Sequence, residues 1–167
     1  MKIVQGLWQR DGFDAGEIAD ILGNEIDSLF WLIDVQSGVL QFAGLETLGN
    51  PDELWDRYVF SPARLTNTST YALRPGALTT FKGAFNWDEQ SYLVGFRARE
   101  DEVESLVASM PQGSLRDEFW NIFEKCGEIF VEDIDDGMAF TWTTRPEWFE
   151  KLAAANPQAK PITLEGV

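Results

Sequence analysis

The sequence predicts an α+β fold in a single domain: a mainly antiparallel sheet of about five to seven strands with helices packed on one face. Three observations carry this expectation. The chain has 167 residues, enough for one domain with a substantial core and no need of a staple. Apolar or alternating runs bounded by turn residues recur along it. Third, Tyr92-Leu93-Val94-Gly95-Phe96 feeds a helical pattern over 100–110 in which Val103, Leu106, Val107 and Met110 share one face. That face must pack on something flat and apolar, and the sheet is the nearest candidate. The domain is expected to span 1–155, with 156–167, which carries Pro157 and Pro161, forming an extended C-terminal tail.

Taken in order, Ile3, Val4, Leu7 and Trp8 before Asp11-Gly12 predict a short edge strand. Asp14 suits the cap of a helix with Ile18, Ile21 and Leu22 on one face, ending at Gly23-Asn24. Leu29 to Val35 is apolar enough for a central strand, and Val39 to Phe42 predicts its hairpin partner across Gln36-Ser37-Gly38. Asn50-Pro51-Asp52-Glu53 combines a capping side chain, proline at the first helical position and acids in the first turn, so a helix starts there; Pro62 prevents its continuation. Residues 70–73, 77–85 and 90–96 predict a meander of strands. Beyond the 100–110 helix, Ser114 and Asp117 predict a second one over 114–126 with Leu115, Phe119, Ile122, Phe123 and Cys126 inward and Gly127 as its stop. A hairpin of 129–134 and 138–143 turns at Asp135-Asp136-Gly137, and Thr144 and Pro146 open a last helix with Phe149, Leu152 and Ala153 inward.

Charge is the strongest departure from an average composition. The net formal charge is −15, and residues 100–136 hold 12 acids against Arg116 and Lys125, so 37 residues carry −10 of it. Such a field repels nucleic acid and anionic membrane and draws basic partners. Aromatic residues make up 13% of the chain, sufficient for a core, which excludes disorder as the explanation of the charge. No run reaches the ~18 apolar residues of a membrane span, the N-terminus lacks a secretory pattern, and a lone Cys126 suits a reducing compartment, so a cytoplasmic protein is expected.

The absence of histidine removes the usual general base and the Ser-His and Cys-His nucleophile pairs, and one cysteine cannot complete a common zinc site. Glycine spacings fit neither a P-loop nor a dinucleotide fingerprint. Residues 132–137 gather carboxylates, but their spacing fails the EF-hand template, so an acidic hairpin turn is expected rather than a metal site. Neither a catalytic residue, a metal nor a cofactor is assigned.

What remains is a binding protein. Glu100, Asp101, Glu102, Glu104, Asp117, Glu118, Glu132, Asp133, Asp135 and Asp136 are expected to form an acidic surface for a basic partner protein, with Trp120 as its exposed aromatic anchor. Trp31 and Trp142, in apolar strands, belong to the core, and Trp87 lies beside acids in a turn. The class of function this suggests is inhibition of a toxin, nuclease or defence protein by covering its nucleic-acid- or nucleotide-binding surface, as bacterial immunity proteins and phage anti-defence proteins do. Two alternatives stand beside it: a small-ligand-binding domain with an aromatic-lined pocket, and an enzyme built on carboxylates, of which 28 are present. A solvated acidic face serving only solubility competes with all three.

Overall fold

Phe30 to Val35 is buried at every position, including Asp34, so this strand must be covered on both faces. The computed structural model, which describes residues 3–10, 15–35, 40, 42–60, 70–81, 90–110, 115–135 and 138–165, shows how. The strands are β1 (Ile3–Arg10), β2 (Phe30–Val35), β3 (Thr70–Leu73), β4 (Gln90–Phe96), β5 (Gly127–Asp135), β6 (Met138–Thr143) and β7 (Lys160–Glu165). They form one seven-stranded sheet in the order β3-β2-β4-β5-β6-β1-β7. Every adjacent pair is antiparallel.

Two helices, α4 (Glu100–Ala108) and α5 (Leu115–Cys126), pack on one face, as the 100–110 and 114–126 patterns predict. Val103, Val107, Met110, Phe119, Ile122 and Phe123 meet Phe30, Leu32, Val94, Phe96, Phe130 and Trp142 there. The opposite face is covered as well. On it, α1 (Ala15–Leu22), α3 (Ala77–Phe81) and α6 (Pro146–Ala155) bring Ile18, Leu22, Leu78, Phe81, Trp148 and Leu152 onto Trp31, Ile33, Leu93, Ile129 and Val131. The outcome is a three-layer domain in which the even and odd positions of the central strands feed separate cores. Trp31 is fully buried and Trp142 is 6% exposed, so both tryptophans assigned to the core are in it.

Two glycines let these tryptophans lie flat on neighbouring strands. A Cβ on Gly95 would stand 2.7 Å from Cζ3 of Trp31, its cross-strand neighbour, and one on Gly6 would overlap the Trp142 ring. Glycine inside a strand therefore marks close approach of a large ring.

Three segments differ from the sequence expectation, and a fourth lies largely outside the described residues. Residues 77–81 are helical. Gly76 turns the chain at φ 86°, Ala77 N–H and Thr80 N–H donate to Arg74 and Gly76 carbonyls, and Ala77, Leu78 and Phe81 bury one helical face. Of the strand expected over 39–42 and its turn at 36–38 only Leu40 and Phe42 are described, Phe42 in a single β-bridge; its ring packs 4.4 Å from Phe81 and 5.7 Å from Trp55. β1 is interior rather than an edge, because the C-terminal segment adds β7 beside it: Ile162 and Leu164 alternate onto the α4/α5 face. In α6 it is Trp148 that is fully buried with Leu152, while Phe149 and Ala153 are half-buried. The helix start at Asn50 holds: α2 (Pro51–Tyr58) begins with Glu53 N–H donating to Asn50 Oδ1 at 3.1 Å.

Candidate functional site

The predicted acidic surface divides in two, because α5 separates its members. Glu100, Asp101 and Glu102 open α4, near the end of β4 and the C-terminal end of α5. Asp117 and Glu118 lie in the first turn of α5. Along α5, nine residues from Asp117 to Cys126 correspond to roughly 13 Å.

The first group is balanced by arginines. Arg74 Nε lies 2.7 Å from Glu100, and Arg99 Nε lies 3.3 Å from Asp101 and 2.9 Å from Glu102. The same end carries Arg97 at 2.8 Å and Arg145 at 2.6 Å from Glu128, and Arg145 at 2.7 Å from Glu147. Hydrogen bonding to Glu128 and then Glu147 raises the Arg145 pKa, and the Glu147 pKa is lowered by its own backbone N–H and by Arg145. Four arginines, just after β3, β4 and β6, thus meet five carboxylates at the starts of α4, β5 and α6. Glu104, half-buried on α4, is also engaged.

Glu132, expected on an exposed hairpin, is buried at 6% exposure. The alternation of β5 explains it: Phe130 and Glu132 face α5 while Ile129 and Val131 face the other core. Its carboxylate accepts from Arg116 Nε at 2.8 Å and Nη2 at 3.3 Å, and from Trp142 Nε1 at 3.4 Å. That hydrogen bond is the main reason the Arg116 pKa is raised. Asp117, by contrast, is exposed and 3.9 Å from Arg116. Glu118 is half-buried. The side chains of Asp133 and Asp135 and the whole of Asp136 lie outside the described set, as does Trp87; the register nevertheless puts Asp133 and Asp135 at the far end of β5, just beyond Glu132.

Trp120 is not the exposed anchor expected of it. The residue is half-buried, its indole N–H donates to Glu124 Oε1 at 2.6 Å, and its ring meets Trp142 edge-on at 5.6 Å and Phe130 at 5.9 Å. Arg116 lies over it, 5.0 Å from the centroid. Stacking on the sheet aromatics, rather than avoidance of the Leu115–Phe123 stripe, decides its position.

One transverse row that sequence reasoning missed crosses all seven strands on the α4/α5 face: Thr70, Asp34, Tyr92, Glu132, Phe140, Trp8 and Lys160. Two buried carboxylates flank Tyr92, whose pKa is raised by burial first and then by Asp34 and Glu132. No sequence spacing announces it, since six cross-strand registers are needed to assemble it. Cys126 is half-buried, its thiol donating to the Ile122 carbonyl at 3.5 Å.

The alternative readings meet little among the described residues. Among the described residues the aromatic rings of the α4/α5 core pack on one another, and a groove of about 560 Å³ between α4 and the end of α5 is rimmed by charges, Arg97, Arg99, Asp101, Glu102 and Lys125. No group of three or more His, Cys, Asp or Glu suited to a metal occurs among the described residues, and none of their helices is long and apolar enough to cross a membrane. Set against known proteins, the chain matches no family model, and neither a curated protein nor a solved structure is significantly similar to it.

Proposed function

We propose that this chain is an acidic binding protein that inhibits a basic partner by covering its nucleic-acid- or nucleotide-binding surface, in the manner of an immunity or anti-defence protein, with the first turn of α5 and the end of β5 making the contact. The observation that supports it is the segregation of charge. Arginines offset the carboxylates where β3, β4 and β6 finish, so the excess of the −15 lies elsewhere. At the other end of the sheet, Asp117 of α5 stands near the strand end that carries Asp133 and Asp135, and Arg116 is directed inward to Glu132. An uneven field of this kind accelerates encounter with a cationic surface.

The test is capture from the native cell with the chain as bait, alongside a triple variant, Asp117→Lys, Asp133→Lys and Asp135→Lys, and a control, Glu102→Lys. The reading expects a basic protein that binds wild type and control, leaves the triple variant, and is released as salt is raised from ~50 to ~500 mM. Retention by the triple variant, or a complex indifferent to salt, would overturn it.

A further inference from the structure

With the Trp120 indole N–H held by Glu124 and its ring packed against Phe130 and Trp142 beneath Arg116, the aromatic anchor must be sought elsewhere. The α4/α5 face offers one place. α5 packs on β4 and β5, whereas the principal helix contacts of β1 and β6 are with α6, on the opposite face. Across β6, β1 and β7 the α4/α5 face therefore presents Phe140, Trp8, Ile162 and Leu164, all half-buried among the described residues. Phe140 stacks on Trp142 with centroids 5.2 Å apart and planes 16° apart, which fixes its ring. In the transverse row these aromatics directly follow Glu132, so the strip begins where the acidic strand end stops.

The chain itself shows which chemistry suits these rings. Lys160 holds its amine 5.0 Å above Trp8, and Arg116 sits 5.0 Å above Trp120, so each flank of the Phe140–Trp142 stack carries a cation over an aromatic face. The negative ring face attracts cations and strengthens as water is excluded. Lys160 is exposed at the first position of the edge strand, whereas Arg116 is held by Glu132.

We infer that the Trp8–Phe140 strip is the anchor site for an arginine- or lysine-bearing, partly apolar segment of a basic protein, a partner cation taking over the place that Lys160 holds above Trp8. This rests on the reading of the chain as a binder of basic partners and names the surface that grips once charge has steered the encounter. Apolar residues of the segment lie along Ile162 and Leu164.

A defined probe tests it: a fluorescein-labelled nine-residue peptide of alternating arginine and leucine, titrated against the full chain by anisotropy. Controls are an arginine–glycine peptide of equal charge and a glutamate–leucine peptide. The inference expects the arginine–leucine probe to bind best. Trp8→Ala and Phe140→Ala, each checked for an unchanged circular-dichroism spectrum, should weaken it roughly tenfold. Lys160→Ala should tighten it severalfold, while Lys151→Ala, which alters net charge equally on α6, should tighten it less. Should a variant fail to fold, Trp8→Phe gives a graded loss on an intact sheet. Equal affinity in wild type and the Trp8 variants overturns the anchor, as does a probe-independent dimer lost on Trp8→Ala, which would make a second copy the occupant. If the Asp117, Asp133 and Asp135 reversals weaken binding while the Trp8 variants do not, charge steering survives and the strip falls. The converse pattern overturns the acidic reading and keeps the strip.

Discussion

Arg116→Leu should lower folding stability by about 2 kcal/mol, and Glu132→Leu in the same chain should restore most of that loss. The Glu132 carboxylate has a side-chain exposure of 7% and draws its two charged hydrogen bonds from one guanidinium, at 2.8 and 3.3 Å. Without Arg116 only Trp142 Nε1, at 3.4 Å, remains to it among the described contacts. Stranding one member of a fully buried pair costs about 3–5 kcal/mol. Arg116 is itself 40% exposed, so water screens the pair and the expected cost falls to about 2 kcal/mol. In a domain of this size that lowers Tm by about 4–8 °C. The double variant has no stranded charge and should lie within about 1 kcal/mol of wild type. Loss of the Arg116–Trp120 contact occurs in both Arg116 variants and cancels from the coupling energy. Urea unfolding of the four chains at pH 7 measures it. Additive losses, or a single variant that costs under ~0.5 kcal/mol, would show that the pair does not hold α5 to the sheet.

The remaining predictions concern local geometry and pH. Asn50→Ala removes the acceptor of the Glu53 N–H at 3.1 Å and should cost about 1 kcal/mol in thermal unfolding, whereas Asn50→Ser should cost little. Gly95→Ala drives a methyl to within 2.7–2.8 Å of the buried Trp31 ring and 3.0 Å of Ile129, so overpacking of about 1–3 kcal/mol is expected; Trp31→Phe in that background should recover part of it, and an unchanged urea midpoint for Gly95→Ala would refute the close approach. Tyr92 is raised in the folded state, so the stability it contributes as a neutral phenol is complete below its unfolded pKa of about 10 and is lost as pH rises through the higher folded value. Between pH 9 and pH 11 wild type should therefore lose more Tm than Tyr92→Phe; parallel curves would exclude a role for this hydroxyl.

Where the sequence was legible, a local pattern answered to a single element. The Val103, Val107 and Met110 stripe needed only one flat neighbour, and the cap at Asn50 is contained within four residues. Misreadings came where two signals overlapped. Ala77-Leu78-Thr79-Thr80-Phe81 is β-branched and apolar enough for a strand, yet the turn at Gly76 starts a helix and tertiary burial of Phe81 decides. Pro157 and Pro161 masked the alternation of Ile162 and Leu164, although an edge strand tolerates proline. The acidic surface was legible only as a charge count. Which carboxylates meet arginine depends on Arg74 and Arg145, distant in sequence and beside them in space. Glu132 illustrates the same limit, for the chain after it runs through Asp133, Asp135 and Asp136 and its neighbours in the fold are Arg116, Trp142 and Tyr92.

The division of charge follows from the topology. β4, α4, α5 and β5 are consecutive, and antiparallel pairing of β4 with β5 makes the end of one strand and the beginning of the other neighbours. Arginines placed just after β3, β4 and β6 therefore converge on carboxylates at the start of α4, β5 and α6, and form ion pairs at this end of the sheet. Acids that lie at the finish of β5 and the start of α5 are carried to the other end by the same antiparallel rule. Of the 12 acids between 100 and 136, Glu100, Asp101, Glu102 and Glu128 are in this way brought to the arginine-rich end, while Asp117 and Glu132 stand beside Arg116 at the other. Exposed pairs of the first kind add little to stability individually. On the reading proposed above their consequence is electrostatic: they weaken the field where the arginines gather, so the pull on a cationic partner would fall at the end of the sheet where β5 closes.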